Sequence, residues 1–203
     1  IRSDRRIIAL FDASQGPEGC ETDSVKVLSS VEKYGNSLFR VTEDVILDPD
    51  GHEMKRAIVR HNGSAVVMPV DEKRRVLLVQ QYRVPAQAKV WELPAGKIDE
   101  GETALAAAKR ELKEETGLRA KVWKRIAHYW ASPGFLEEKM NLYLATGLTH
   151  GAAEWADDER IEMRWFSERE LDAAVRDQKI IDGKTLIGFL AWKRYYRNSA
   201  STR

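Results

Sequence analysis

The clearest chemical potential in this chain lies in three carboxylates on one stretch of sequence. Residues Glu102 to Thr116 are Ala-rich, contain no Gly or Pro, and stop at Gly117, where a left-handed residue closes a helix. With Glu111 at zero and a step of about 100° per residue, Glu115 falls near +40° and Glu114 near −60°. Leu105, Ala108 and Leu112 cluster on the adjoining flank, at about +60° to +120°. One flank therefore buries itself, and the other carries three carboxylates within a turn, which repel each other unless neutralised. Lys109, Arg110 and Lys113 offset part of that charge, and a solvated charged face is the plain alternative. The preceding loop weighs toward a site: Gly96 and Gly101 flank Lys97–Glu100 and bring the backbone to the N-terminal side of the helix. Hard oxygen ligands clustered on a rigid helix suit Mg²⁺, with Mn²⁺ as the other fit.

The elements that must hold this helix are read from the rest of the pattern. Residues 1–23 are polar and interrupted by Gly and Pro, which reads as a loose arm. From 24 to 61 the pattern is strand-like, with Asp48-Pro49-Asp50-Gly51 as a turn, and predicts a small antiparallel sheet. Residues 62–203 form the main domain. Strands are expected at Ala65–Pro69, Val76–Tyr82, Val90–Leu93, Val122–Tyr129, Met140–Ala145 and Glu162–Phe166. Ser167-Glu168-Arg169-Glu170 has capping-box spacing and should start a helix, and a last helix covers roughly Lys184–Arg197. Strands, one central helix, more strands and terminal helices give an α+β chain, an α/β/α sandwich on a mixed sheet.

Composition bounds the function. The 203 residues carry 33 basic and 32 acidic side chains, a net charge of +1, and 43% hydrophobic residues. Such a chain folds. Its balance argues against a nucleic-acid partner, which calls for a basic surplus. The longest uncharged apolar runs, Ala65–Val70 and Val76–Val79, are too short for a membrane span. A single cysteine, Cys20, makes no internal disulfide, which fits a reducing, cytoplasmic compartment. Gly183-Lys184-Thr185 is not a phosphate-binding P-loop, because Gln178 stands where that motif needs Gly. The four histidines lack zinc-ligand spacing, and there is no Gly-x-Ser-x-Gly motif.

Gly96, Glu102, Arg110, Glu111, Leu112, Glu114, Glu115, Gly117 and Leu118 match every specified position of a known pattern, Gly-x5-Glu-x7-Arg-Glu-U-x-Glu-Glu-x-Gly-U with U aliphatic. Average residue usage makes a chance match on the order of one in ten million. The chain thus resembles the Nudix hydrolases, which cleave a nucleoside diphosphate linked to a further group with the help of divalent metal. A pyrophosphate is anionic and repels a nucleophile, so neutralisation and polarisation are what the reaction needs. The resemblance implies Glu111, Glu115, the Ala95 carbonyl and Glu114 as metal ligands, with Glu115 central to catalysis. It gives Arg110 and Glu102 an organising role.

Further segments resemble the ADP-ribose pyrophosphatase group of that family. Gln80-Gln81-Tyr82-Arg83 precedes Trp91-Glu92-Leu93-Pro94-Ala95-Gly96, and Ser132-Pro133-Gly134-Phe135 is followed by Glu138. Asp182-Gly183-Lys184-Thr185 before the last helix is shared with GDP-mannose pyrophosphatases. The resemblance implies ADP-ribose as substrate, cleaved to AMP and ribose 5-phosphate. A GDP-mannose or other nucleotide-sugar pyrophosphatase is the neighbouring alternative, and a non-catalytic nucleotide-binding regulator the distant one. Arg83 is expected to hold a phosphate or the terminal ribose, and Glu138 to orient substrate or loop. The general base is expected on the acidic loop Glu154–Glu159, with Glu159 first and Asp157 second. The N-terminal strands expose edges that a twin would cover, so a homodimer is expected, with residues 24–61 completing the neighbour's site. Arg56 is the expected contact at the base, stacking by its planar guanidinium.

Overall fold

The computed structural model describes residues 25–151 and 161–200. The expected arm and the loop carrying Glu154, Asp157, Asp158 and Glu159 lie outside those residues. The architecture is the α/β/α sandwich on a mixed sheet, with a small antiparallel sheet ahead of it.

The small sheet is β1 (Lys26–Gly35), β2 (Arg40–Leu47) and β3 (Glu53–Arg60), each strand antiparallel to the next. Asp48 closes the β2–β3 turn by accepting the His52 N–H at 2.8 Å, and Gly51 supplies the left-handed backbone at φ +87°. The β1–β2 turn is built by Asn36, whose Oδ1 accepts the N–H groups of Leu38 and Phe39 at 2.8 and 2.9 Å. Inside this sheet Asp44 is fully buried, takes a hydrogen bond from the Ser30 hydroxyl at 2.7 Å, and pairs with Arg60. The Ser30 hydroxyl, and then Thr42 and Arg60, hold its carboxyl below the usual range against the opposing effect of burial.

The main domain has a four-stranded sheet in the order β7–β4–β9–β8: β4 (Ser64–Pro69), β7 (Ala95–Lys97), β8 (Leu118–Trp130) and β9 (Lys139–His150). Only the β4–β9 pair is parallel. A second sheet, β10–β5–β6, comprises β5 (Val76–Arg83), β6 (Ala88–Glu92) and β10 (Glu162–Phe166). β4 is buried on both faces, as a central strand between two layers must be. Its Ala65 and Val67 pack with Ala107, Ala108 and Leu112 of helix α1 (Ala104–Thr116). Val66 and Met68 face Leu171 of α2 (Glu168–Arg176) and Phe189 and Trp192 of α3 (Gly183–Ala200). None of these helices is long and apolar enough to cross a membrane.

Several boundaries move from their expected places. α1 begins at Ala104, because the Thr103 hydroxyl caps it by accepting the Ala106 N–H at 3.2 Å. Glu102 is thereby outside the helix. Gly117 ends it at φ +69°, as expected. Gly96 sits within β7 rather than in a free loop. β8 and β9 run beyond their apolar stretches, because their ladder continues from Leu118–His150 to Trp130–Lys139. β10 and the Ser167–Glu170 capping box fall where expected.

Candidate active site

The carboxylate helix meets strand β7 at Gly96. A methyl group placed on Gly96 would overlap the Glu111 carboxylate, so only glycine lets that side chain lie against the strand. Glu115, one turn further on the same face, is 5% exposed, whereas the Glu114 side chain is 39% exposed. The Ala95 carbonyl belongs to the same strand, and the Pro94 carbonyl before it accepts the Val67 N–H at 2.8 Å. Ala95, Glu111, Glu114 and Glu115 thus come from one strand–helix junction.

Arg110 organises that junction. Its Nε and Nη2 reach the two Glu102 oxygens at 3.2 and 3.0 Å, and Nη2 also donates to the Lys97 carbonyl at 3.0 Å. Nη1 donates to Glu111 at 2.5 Å and to Glu114 at 3.1 Å. One guanidinium therefore ties the loop before the helix to two helix carboxylates. The Arg110 hydrogen bond is the main reason that the Glu102 carboxyl is held below its usual range, and Glu102 in turn raises Arg110. This is the organising role expected of the pair.

Beside β7 opens a cleft of about 630 Å³, within the range of small-molecule sites. Arg83, Lys184, Ser64 and Glu138 give it polar groups, and Leu38, Phe39 and Trp130 give it apolar wall. Arg83 is held by Glu92, with Nε to Oε1 at 2.6 Å and Nη2 to Oε2 at 2.9 Å. Glu92 is buried, and it also pairs with Lys184. Burial would raise its carboxyl, but the Arg83 hydrogen bonds and the charge of Lys184 take it below its ordinary value. Glu138 accepts the Ser64 hydroxyl at 2.5 Å, across the parallel β4–β9 pairing. The Tyr129 hydroxyl is buried at the cleft without a hydrogen-bond partner among the described residues. Burial, then the charges of Asp182 and Glu138, push it up to about 12.

Arg56 is not among the residues lining this cleft. It lines a neighbouring groove of about 360 Å³ with Pro133 and Phe135. Leu38, Phe39 and His61 are the residues that segment 24–61 brings to the cleft, and the Lys97 ammonium fastens the Leu38–Phe39 turn by donating to the Ser37 carbonyl at 2.8 Å. The same sheet is joined to the Pro133–Glu138 loop, since Val59 N–H donates to the Phe135 carbonyl and Glu137 N–H to the Val59 carbonyl, both at 2.8 Å.

Glu92 went unread in the sequence, although a signal was present. On β6 it shares a face with buried Val90, and a glutamate at a buried strand position calls for cationic partners. Asp182-Gly183-Lys184-Thr185 proves to be a cap and a clamp. Asp182 accepts the Thr185 N–H at 3.0 Å and its hydroxyl at 2.6 Å, and Thr185 Oγ1 accepts the Leu93 N–H at 2.9 Å. Outside the junction, Asp48, Asp50 and His52 gather at the β2–β3 turn, with the latter two exposed.

Residues 59–185 match the family described as NUDIX domain. The chain is 36% identical over 145 residues to an ADP-ribose pyrophosphatase of Bacillus subtilis, covering 70% of this chain and 78% of that one. It is 32% identical over 164 residues to a methanol dehydrogenase activator of Bacillus methanolicus, covering 80% and 89%. A crystal structure of an ADP compounds hydrolase superposes with a TM-score of 0.76 at 20% identity, covering 89% of this chain and 98% of that one, and carries the likeness of fold.

Proposed function

The chain belongs to the NUDIX domain family, and from that premise we propose that it hydrolyses the pyrophosphate of ADP-ribose to AMP and ribose 5-phosphate. The observation that carries this reading is the Glu111 carboxylate laid against Gly96 at the edge of a cleft that also holds the Arg83 guanidinium. Glu111, Glu114, Glu115 and the Ala95 carbonyl are all hard oxygen donors, and the side-chain-free Gly96 leaves the space that such a set needs. They fit Mg²⁺, or Mn²⁺, and would hold it. The ion supplies neutralisation of the diphosphate and a more acidic water.

The chain's own residues do the rest. Arg83 grips an anionic oxygen of the substrate by its fork of donors. Lys184 adds positive charge on the same wall. Glu138, through Ser64, keeps the Ser132–Glu138 loop against the cleft, and Phe39 offers a ring to the base. Glu159, or Asp157, takes the proton of the attacking water. Among relatives, the name ADP-ribose pyrophosphatase recurs at 31% identity or more.

The same reading makes the protein a cytoplasmic homodimer. Every residue of β1 is exposed, and Val27, Leu28, Val31 and Tyr34 make it apolar enough to seat a second copy. Light scattering on the whole chain tests this, with a dimer mass expected.

A panel of ADP-ribose, GDP-mannose, diadenosine polyphosphates and NADH, with the released phosphomonoesters identified, tests the activity. AMP and ribose 5-phosphate from ADP-ribose, dependent on Mg²⁺, is the expected result. Faster turnover of GDP-mannose would replace the substrate, and no turnover of any compound would overturn the reading.

A further inference from the structure

Arg83 reaches the cleft with a side chain that is 43% exposed, yet the carboxylate that holds it is 3% exposed. A buried carboxylate is costly unless paired, and breaking such a pair by removing one partner is strongly destabilising. Glu92 meets that cost twice over. Its two oxygens take the Arg83 Nε and Nη2 side by side, and Lys184 donates to the same Oε2 as Nη2. Lys184 is itself held by Asp182 at 3.0 Å. Thr185 then fixes the main chain next to Glu92 by taking the Leu93 N–H. Glu92 of β6, Asp182 just before α3, and Lys184 and Thr185 of its first turn therefore lock the Arg83 guanidinium in place.

The lock leaves Arg83 useful. Of its five N–H groups, the pair to Glu92 engages two, and the others make no hydrogen bond among the described residues. A guanidinium whose inner edge is clamped has already lost the rotamer freedom that binding would otherwise take from it.

We propose that Glu92, pinned by Lys184, is a positioning residue that presents the outer edge of Arg83 to an anionic group of the nucleotide-sugar substrate. This rests on the pyrophosphatase reading. Glu92 touches no substrate; it acts through Arg83. The effect falls on binding of the anion, because the clamp sets where the donors stand, while the carboxylate junction at Gly96 is built from other residues.

The test is a double-mutant cycle in the full-length protein. Glu92→Gln, which keeps shape but removes the charge, should raise KM for the hydrolysed substrate about tenfold or more, as loss of a charged hydrogen-bond pair does. Its kcat should stay within about threefold of wild type. Arg83→Ala should raise KM similarly, and adding Glu92→Gln to it should change KM by less than about twofold. Lys184→Met should move KM in the same direction. A soluble Glu92→Gln with wild-type KM, a fall confined to kcat, or additive effects in the cycle would overturn the proposal. If Glu92→Gln does not fold, Lys184→Met combined with Arg83→Ala decides: a raised KM that largely disappears in the Arg83→Ala background supports the clamp, and an unchanged KM or additive effects overturn it. Failure of the pyrophosphatase reading shows separately, as a wild-type protein that turns over nothing in the panel. The cycle is then read on the Kd for ADP by calorimetry, with the same coupling expected. Wild type that does not bind ADP overturns the inference too.

Discussion

Gly96 and Glu111 stand in a relation that no other residue at position 96 would permit: the carboxylate occupies the volume where a side chain of residue 96 would begin. The intruding atoms are the far end of a flexible side chain, so an added methyl displaces the carboxylate rather than the backbone. Gly96→Ala should therefore cost little stability, within about 1 kcal/mol as for most tolerated changes, but lower kcat at least about tenfold. Thermal melting beside steady-state kinetics checks both halves; an unimpaired kcat would show that Glu111 need not lie there.

Glu115 is the most enclosed of the three carboxylates. Glu115→Gln keeps its shape and removes its charge, and turnover should fall by about 10²-fold or more with the fold intact. Near-normal rates at saturating Mg²⁺ would take Glu115 out of the ligand set.

For the base, Glu159→Gln should depress kcat by roughly 10²–10⁴-fold with little change in KM. A larger defect in Asp157→Asn would move the assignment two residues along the loop.

At the base-binding end, Phe39→Ala should raise KM for ADP-ribose by about tenfold, the weight of one stacked ring. Arg56→Ala should leave KM nearer to wild type, because Arg56 lines the adjoining groove. The reverse order in the two KM values would return the base to Arg56.

Glu92 also predicts an acid limb of stability. Its carboxyl lies below the ordinary 4.5 in the folded protein. A group with a depressed folded value stabilises above the unfolded value and loses that contribution as pH falls through the folded one. Wild type should thus lose stability relative to Glu92→Gln as pH falls below about 4.5, measured by urea titration at each pH. A constant difference across that window would contradict the assignment.

What could be read from the sequence was local. Gly117 marks the end of α1 because one residue's left-handed backbone suffices, and Ser167 with Glu170 marks the start of α2 because both capping bonds span three residues. The start of α1 misled for a related reason. Glu102 suits a helical pattern, but it spends its carboxylate on Arg110, eight residues away, and leaves capping to Thr103. The carboxylate junction was legible since its spacing is fixed by one helix and one short strand. The Arg83 clamp was not, because Lys184 meets Glu92 across 92 residues of chain. Nor was Phe39, which the Asn36 turn carries to the cleft from the N-terminal sheet.

That 92-residue closure also has a bearing on how the protein is made. Synthesis releases the chain from its N-terminal end, and domains fold as their residues emerge. The junction of Gly96 with Glu111 can form once α1 is out, whereas Glu92 must wait for Lys184 and Thr185. A chain that lacks α3 would therefore leave Arg83 without its full clamp, with the Glu92 charge short of its second partner. Completion of the cleft in this sense waits on α3, however early the rest of the site is synthesised.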